Sequence, residues 1–285
     1  MTRTQTSIGK MLRGPVKLDA QRLTSMNPDQ ASGYGASEQP ICGLAEEGYH
    51  PGASEQALLA LGDAPVDISG YPGRLITLEG TDGVGRSTHI GLLQEWLENK
   101  GYAVVQSGLT GSHLAGRGLR SAKDVNTLGR LTADLYYATD FADRLERDIL
   151  PALRAGYVVL TDRYVYSTMA RSIVRGAPRE WINSVYHFAP KPHAVFYLRI
   201  NVEHLVPRVL SSSGFDYWES GFDFQGETDM YRSFVRYQNR LLDVFDELSS
   251  TYKFSVVNSN RPIKPVFDDL REGVLRVIDG MKGAP

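Results

Sequence analysis

Residues 74–88, RLITLEGTDGVGRST, constrain the fold of this chain more than any other stretch. The apolar run 75–78 opens into a loop with three glycines, after which apolar residues recur at helical spacing. The predicted order is therefore strand, glycine loop, helix. Because glycines let successive backbone N–H groups turn toward one anion, and a helix N-terminus adds partial positive charge, this order predicts a phosphate-binding loop.

The loop matches the pattern G-x-x-x-x-G-K-[ST] at every fixed position except one. Arg86 stands where the pattern has lysine, and Ser87 keeps the hydroxyl that ligates Mg²⁺ in such loops. A dinucleotide fingerprint is not supported, because the glycines do not spell G-x-G-x-x-G. The residues predicted to bind the nucleotide phosphates are Gly80, Thr81, Asp82, Gly83, Val84, Gly85, Arg86, Ser87 and Thr88.

Composition excludes several other classes of protein. The 285 residues are 42% hydrophobic, which fills one substantial core, and the net charge of −2 gives no global support for nucleic-acid binding. The single cysteine, Cys42, excludes an internal disulfide and a cysteine-based metal site. We find no run long enough to span a membrane and no secretory signal. The expectation is a soluble cytoplasmic protein without membrane or nucleic-acid partners.

Two regions of the chain differ in composition. Residues 1–70 are rich in Gly, Ser, Gln and Pro and show no sustained apolar period, so we predict a flexible N-terminal extension. Its basic beginning leaves an organelle-targeting segment open as an alternative. Residues 71–285 alternate strands and helices, which predicts an α/β domain with a five-stranded parallel sheet and helices on both faces. The predicted strands end near residues 79, 106, 161, 200 and 257.

An acid and a base follow the third predicted strand. In a parallel sheet the C-terminal edge of this strand can lie beside the glycine loop, so we predict that Asp162 reaches Mg²⁺ or its waters. A cap or a turn is the alternative for Asp162. Arg163 stands where hydrolases commonly place a second acid, and a guanidinium can grip a second phosphate through two parallel hydrogen bonds. The pair favours transfer to a phosphorylated acceptor over hydrolysis.

Four segments resemble, in order and spacing, the thymidylate kinases: LEGTDGVGRST, LYYATDFADRLERDILPALRAGYVVLTDRYVYS, VFYLRI and the lid-like FDYWES. The resemblance covers residues 74 to about 271. It implies a homodimer that transfers a phosphoryl group from ATP to dTMP, with Mg²⁺, to give dTDP. It also implies that Asp82 approaches the sugar 3′-hydroxyl, Arg163 the acceptor phosphate and Tyr137 the base. A helix cap for Asp82 and a core position for Tyr137 are the alternatives.

The chain also departs from the family pattern. SGLTGS at residues 107–112 replaces the family's Arg-Glu-Pro-Gly-Gly run, and Phe141 stands where the family usually has a base-contacting arginine. Arg171 and Ser172 replace a tyrosine-glutamine pair. The lid-like segment contains no Lys or Arg between residues 211 and 230.

The missing lid cation raises the question of which residues neutralise the transferring phosphoryl group. We predict that Arg86, Arg163 and Arg208 do so together with Mg²⁺. A stripe of arginines at helical spacing could also contribute: Arg232, Arg236 and Arg240. The alternative for this stripe is a solvated helix face.

The predicted catalytic residues are Arg86, Asp162 and Arg163, and the predicted metal ligands are Ser87 and Asp162. The acceptor-binding residues are Asp82, Tyr137, Phe141 and Arg163. Two alternatives stay open: a kinase for another deoxynucleoside monophosphate or small phosphorylated acceptor, and a nucleotide-binding protein without catalysis.

Overall fold

The computed structural model describes residues 65–124 and 128–281. Its five strands are all parallel and lie side by side in the order β2-β3-β1-β4-β5. This confirms the predicted five-stranded parallel sheet. The strands are β1 Arg74–Glu79, β2 Val104–Gly108, β3 Val158–Asp162, β4 Ala194–Arg199 and β5 Ser255–Asn258.

Helices cover both faces of the sheet. In the described part of the chain they are α1 Arg86–Glu98, α2 Gly116–Asp124, α3 Arg130–Arg144, α4 Leu150–Arg154, α5 Val165–Val174, α6 Arg179–Val185, α7 Val202–Leu210, α8 Met230–Tyr252 and α9 Ile263–Ile278. None of these helices combines the length and apolar character that a membrane span requires.

Two hydrophobic clusters divide the core, one on each face of the sheet. In β1, Leu75 belongs to the cluster with α3, α5 and α8, whereas Ile76 and Leu78 belong to the cluster with α1, α7 and α9. Successive strand residues point to opposite faces, so a strand that is buried on both faces reads as one apolar run. That run is the signal from which the strands are predicted.

Apolar spacing predicts a helix over 127–154, with a kink or a new start at Pro151. Residue 127 lies outside the described residues; after it the structure has α3 and α4, separated by a π-helical turn, Leu145–Ile149. Leu150 N–H donates to the Leu145 carbonyl, five residues back. Pro151 has no N–H to donate and its ring crowds the preceding turn, and the wider turn lets the helix continue past it. The effect of Pro151 is thus a local widening.

Residues 107–118 are predicted to be a glycine-rich connection, but part of this stretch forms α2. Gly116 and Gly118 weigh against a helix in the sequence, because glycine is a poor helix former. Tertiary packing overrides this preference. A Cβ on Gly116 would lie 2.3 Å from the carbonyl oxygen of Thr110, and Leu119 is fully buried.

The described chain begins at residue 65, so most of the predicted N-terminal extension, including Cys42, lies outside the described residues. Residues just before the predicted domain boundary at 71 already join the core. Ile68 is 4% exposed, and Val66 N–H donates to the Phe188 carbonyl at 3.1 Å.

Candidate active site

The glycine loop connects the C-terminal end of β1 to the N-terminus of α1. Gly80, Gly83 and Gly85 have φ angles of 142°, 75° and 100°, a region that side chains disfavour. A Cβ on Gly80 would also lie 2.8 Å from the carbonyl oxygen of Leu198 on β4. Gly85 caps α1 without a side-chain acceptor, so the N–H groups of the first turn remain for an anion.

Arg86 is folded back into this loop. Its Nη1 donates to the carbonyl oxygen of Gly80 at 2.7 Å and to that of Thr81. Its Nε donates to Oδ1 of Asp162 at 2.7 Å, and only 7% of the side chain is exposed. The planar guanidinium therefore ties the loop to the end of β3, in addition to supplying the charge of the usual lysine.

Asp162 and Ser87 meet at the same place. Asp162 is the last residue of β3 and lies beside Leu78 of β1 in the sheet register. Ser87 Oγ donates to Oδ2 of Asp162 at 2.5 Å. A cavity of about 230 Å³, which we call the P-loop cavity, opens beside this pair. It is lined by Arg86, Ser87, Gly108, Leu109, Asp162 and Arg163.

A larger cavity of about 390 Å³ lies between α3 and α5, and we call it the α3–α5 cavity. Each helix contributes side chains at positions i, i+3, i+4 and i+7, which form one helical face. These are Arg130, Ala133, Asp134 and Tyr137 of α3, and Thr168, Arg171 and Ser172 of α5 together with Arg175, which caps α5. The lining is completed by Lys123, Leu128, Gly129, Arg163, Tyr217, Trp218, Glu219, Asp223 and Phe224.

Arg163 lines both cavities. It has a φ of 70°, a left-handed conformation that costs a residue with a side chain about 1–2 kcal/mol. Its Nη2 forms an ion pair with Oδ1 of Asp82, while Oδ2 of Asp82 accepts from Nη2 of Arg171 at 2.5 Å. The two cavities therefore meet at a strained arginine, and Asp82 is bound by two guanidinium groups.

The segment 211–229 is attached over the α3–α5 cavity at two points. Arg175 binds both carboxylate oxygens of Asp223, at 2.9 and 3.1 Å, and donates to the Trp218 carbonyl at 2.7 Å. The Trp218 indole N–H donates to the Lys123 carbonyl at 3.0 Å. These bonds tie the segment to α5 and to α2.

Two carboxyl groups near the cavities have raised pKa values. Burial raises the pKa of Glu79, at the end of β1, to about 7, although Glu79 accepts from the Tyr164 N–H at 2.8 Å and from the Ser167 hydroxyl. Burial also raises the pKa of Asp134, whose Oδ1 accepts from Ser172 Oγ at 2.5 Å. Asp134 and Ser172 thus form a polar pair on the wall of the α3–α5 cavity.

Phe141 lines neither of these two cavities. It is 1% exposed, and its ring packs at 5.0 Å from the Tyr164 ring and at 6.3 Å from the Tyr186 ring. Tyr137, one turn earlier in α3, does line the α3–α5 cavity. Phe141 therefore lies in the core beside these rings, and its predicted contact with an acceptor stays a prediction.

The SGLTGS segment is held by α3. Asp140 is fully buried and accepts from the backbone N–H groups of Thr110 and Ser112, at 3.1 and 3.0 Å. It also pairs with Arg144 Nε at 2.9 Å, and Arg144 donates to Ser107 Oγ at 2.9 Å. A buried ion pair on α3 thus positions the backbone that follows β2.

The remaining predicted arginines are engaged elsewhere. Arg208 donates to the carbonyl oxygens of Val84, Ser259 and Arg261. Arg232 and Arg236 are mostly exposed and pair with Asp229 and Glu227. Arg240 donates to the Val174 carbonyl at 2.9 Å. The arginine stripe of α8 therefore does not line the P-loop cavity.

Sequence reasoning missed several residues of the α3–α5 cavity. No motif marks Arg175 or Asp134, while Trp218 is marked only as part of the lid-like segment FDYWES and Arg171 only as a departure from the family pattern. The i, i+3, i+4, i+7 spacing on α5 is a signal that could have found Arg171 and Arg175, because it groups them on one face with Ser172. Only the tertiary structure shows that the corresponding face of α3 lies opposite these residues.

A phosphate-binding loop next to an acid at a strand end, with an arginine-lined cavity beside it, defines a P-loop phosphotransferase. The thymidylate kinase family model matches residues 78–270. A probable thymidylate kinase 2 from Saccharolobus solfataricus is 36% identical over 209 residues, which cover 73% of this chain and 98% of that protein. A thymidylate kinase from Akkermansia muciniphila is 43% identical over 141 residues, or 48% of this chain and 67% of that protein. The chain belongs to the thymidylate kinase family, a family of ATP-dependent phosphotransferases.

Proposed function

We propose that this chain transfers the γ-phosphoryl group of ATP to dTMP and releases ADP and dTDP. The observation that carries the proposal is the position of Arg163, which lines the P-loop cavity and the α3–α5 cavity at once. An arginine at such a junction can contact both the transferred group and the acceptor phosphate. An oxygen of the acceptor phosphate attacks the γ-phosphorus, and the bond to the β–γ bridging oxygen breaks.

The donor phosphates belong in the glycine loop. Their charge is offset by the N–H groups of the loop and of the first turn of α1, and by Arg86. Because Arg86 is held by two loop carbonyls and by Asp162, it also keeps the loop in its phosphate-binding shape. The guanidinium of Arg86 thus both offsets phosphate charge and holds the glycine loop in place.

Ser87 and Asp162 would hold Mg²⁺. Their hard oxygen atoms, 2.5 Å apart, suit this ion, which binds through one or two protein oxygens, substrate phosphates and water. Among the described residues, no group of three or more His, Cys, Asp or Glu could hold a metal ion. When bound, Mg²⁺ neutralises charge on the phosphates.

The nucleoside of dTMP fits the α3–α5 cavity. Tyr137 offers an aromatic face to the base, and the Asp134–Ser172 pair offers polar atoms to its edge. The segment 211–229 contributes Trp218 and Phe224 to the wall of the cavity, where their apolar rings would limit the access of water to the transfer site. Base recognition thereby relies on residues other than the arginine and glutamine usual in the family.

The test is an ADP-release assay with purified full-length protein, ATP, Mg²⁺ and a panel of monophosphates: dTMP, dUMP, dCMP and dGMP. ADP release that is fastest with dTMP is expected. A preference for another monophosphate would contradict the proposed acceptor and keep the kinase class. Nucleotide binding without ADP release under any condition would contradict catalysis itself.

The homodimer implied by the resemblance is part of the proposal. Apolar side chains of α3 are exposed: Leu131 by 62%, Leu135 by 48% and Tyr136 by 37%. Such a patch is typical of an interaction surface. Sedimentation analysis should give twice the chain mass, and a charged Leu131→Asp variant should be monomeric.

A cytoplasmic location is also proposed, since a single cysteine suits a reducing compartment.

A further inference from the structure

Residues 211–230 contain no Lys or Arg, so the cations of the transfer site must come from other segments. Arg86 is committed to the glycine loop and Asp162. Arg175 is committed to Asp223, Tyr237 and the Trp218 carbonyl. Arg208 donates to backbone carbonyls. Arg130 donates to the Arg175 carbonyl. Among the arginines that line the two cavities, this leaves Arg163 and Arg171.

Arg163 and Arg171 form one cluster through Asp82. Each donates through Nη2 to a different oxygen of this carboxylate, which is 4% exposed. A carboxylate shared in this way fixes the relative position of two planar guanidinium groups. Both side chains are largely buried, with 19% and 13% of their surface exposed, and both line the α3–α5 cavity.

The cluster retains donors for a further acceptor. A guanidinium carries five N–H donors, and the ion pairs with Asp82 engage only one nitrogen, Nη2, of each arginine. Burial and the positive charge of Arg171 lower the pKa of Arg163 to about 9, while Glu219 acts in the opposite direction. A phosphate dianion would accept from both groups and would relieve the repulsion between them.

We propose that Arg171 binds the acceptor phosphate together with Arg163, and that Asp82 positions both guanidinium groups for it. This inference rests on the proposed function and adds a binding residue to it. Asp82 then acts as a positioning residue for the two arginines. A contact of Asp82 with a sugar 3′-hydroxyl would add a third donor to a carboxylate that already pairs with two arginines.

The test compares dTMP with thymidine, which lacks the phosphate. Dissociation constants are measured by calorimetry for the full-length wild type, for Arg171→Met, and for Arg179→Met as a matched control. Arg179 is half exposed, pairs with Glu247 and does not line either cavity. In Arg171→Met the dissociation constant of dTMP should rise by about 10- to 100-fold, as expected for a lost charge-assisted contact. That of thymidine should change by less than about threefold, and the control should match the wild type.

Parallel weakening of dTMP and thymidine would overturn the proposal, because Arg171 would then contact or support the nucleoside part. No change for either ligand would also overturn it. If Arg171→Met does not fold, Arg171→Lys carries the test, since it keeps the charge. It should weaken dTMP alone, by about 3- to 10-fold. A wild type that binds no dTMP would contradict the proposed function itself, before any variant is measured.

Discussion

The P-loop cavity and the α3–α5 cavity are built in different ways. The first lies at the ends of strands and at the start of a helix: Arg86 and Ser87 begin α1, Gly108 ends β2 and Asp162 ends β3, with Leu109 and Arg163 next to them. The second is formed by side chains from segments far apart in sequence, around residues 123–137, 163–175 and 217–224. The chain thus pairs a donor region held by the sheet with an acceptor region held by side-chain contacts.

The difference between the two regions predicts which properties a substitution should change together: turnover, stability or acceptor binding. At the donor region the same bonds support the fold and bind phosphate, as the three acceptors of Arg86 illustrate. Changes there should alter turnover and stability at once. At the acceptor region the cavity lining can change while the sheet remains intact, so changes there should alter acceptor binding alone. The variants below test this division, from the largest expected effect to the smallest.

Arg163 belongs to both regions, so its loss should have the largest effect. Arg163→Met should lower kcat by about 10³-fold, because an arginine at a transferring phosphoryl group contributes at least this much. The KM for dTMP should rise as well. Steady-state kinetics with both substrates measures this, with Arg199→Met, which breaks exposed contacts with Asp246 and Asn201 away from both cavities, as the control. Turnover near the wild-type value would remove Arg163 from the transfer site.

Arg86 tests the donor region. Arg86→Met should lower kcat by about 100-fold and the free energy of unfolding by about 1–3 kcal/mol, since it removes hydrogen bonds to Asp162 and to loop carbonyls. Arg86→Lys keeps a cation and should stay within about tenfold of wild-type kcat. Kinetics and urea unfolding provide both numbers. Loss of activity with full stability would break the predicted coupling.

Glu79 is the last residue of β1, directly before the glycine loop, and its raised pKa predicts that stability depends on pH. Between its ordinary pKa and about 7, the folded state keeps a proton that the unfolded chain has lost, so stability falls as the pH rises. From pH 5 to pH 8 the loss should be about 2 kcal/mol more in the wild type than in Glu79→Gln. Urea unfolding at both pH values measures this difference. Equal pH dependence in the two proteins would assign the effect to other groups.

Trp218 tests the acceptor region and should give the smallest effect. Trp218→Phe removes the N–H that donates to the Lys123 carbonyl. The KM for dTMP should rise by about 3- to 10-fold, as expected for one neutral hydrogen bond, while kcat and stability stay unchanged. Trp96→Phe, on α1, is the matched control. A fall in stability of Trp218→Phe would show that this region also supports the fold.

Much of the fold was predictable because its signals are local. The apolar runs of β1, β3 and β4 mark strands that are buried on both faces, and the glycine loop has a spacing that few other structures require. The prediction failed at α2, where Gly116 and Gly118 oppose a helix and a contact with Thr110 decides. It was incomplete at Phe141, where the sequence has no sign that the ring turns into the core.

By itself, the sequence determined the alternation of strands and helices and the phosphate loop, because apolar runs and a glycine motif follow from neighbours along the chain; the contact of Ser87 with Asp162 formed where the spatial strand order placed β3 beside β1. Tertiary structure alone decided the partners of Asp82, the burial of Phe141 and the two facing helices of the larger cavity. These depend on side chains that lie many residues apart, and only packing determines which of them meet.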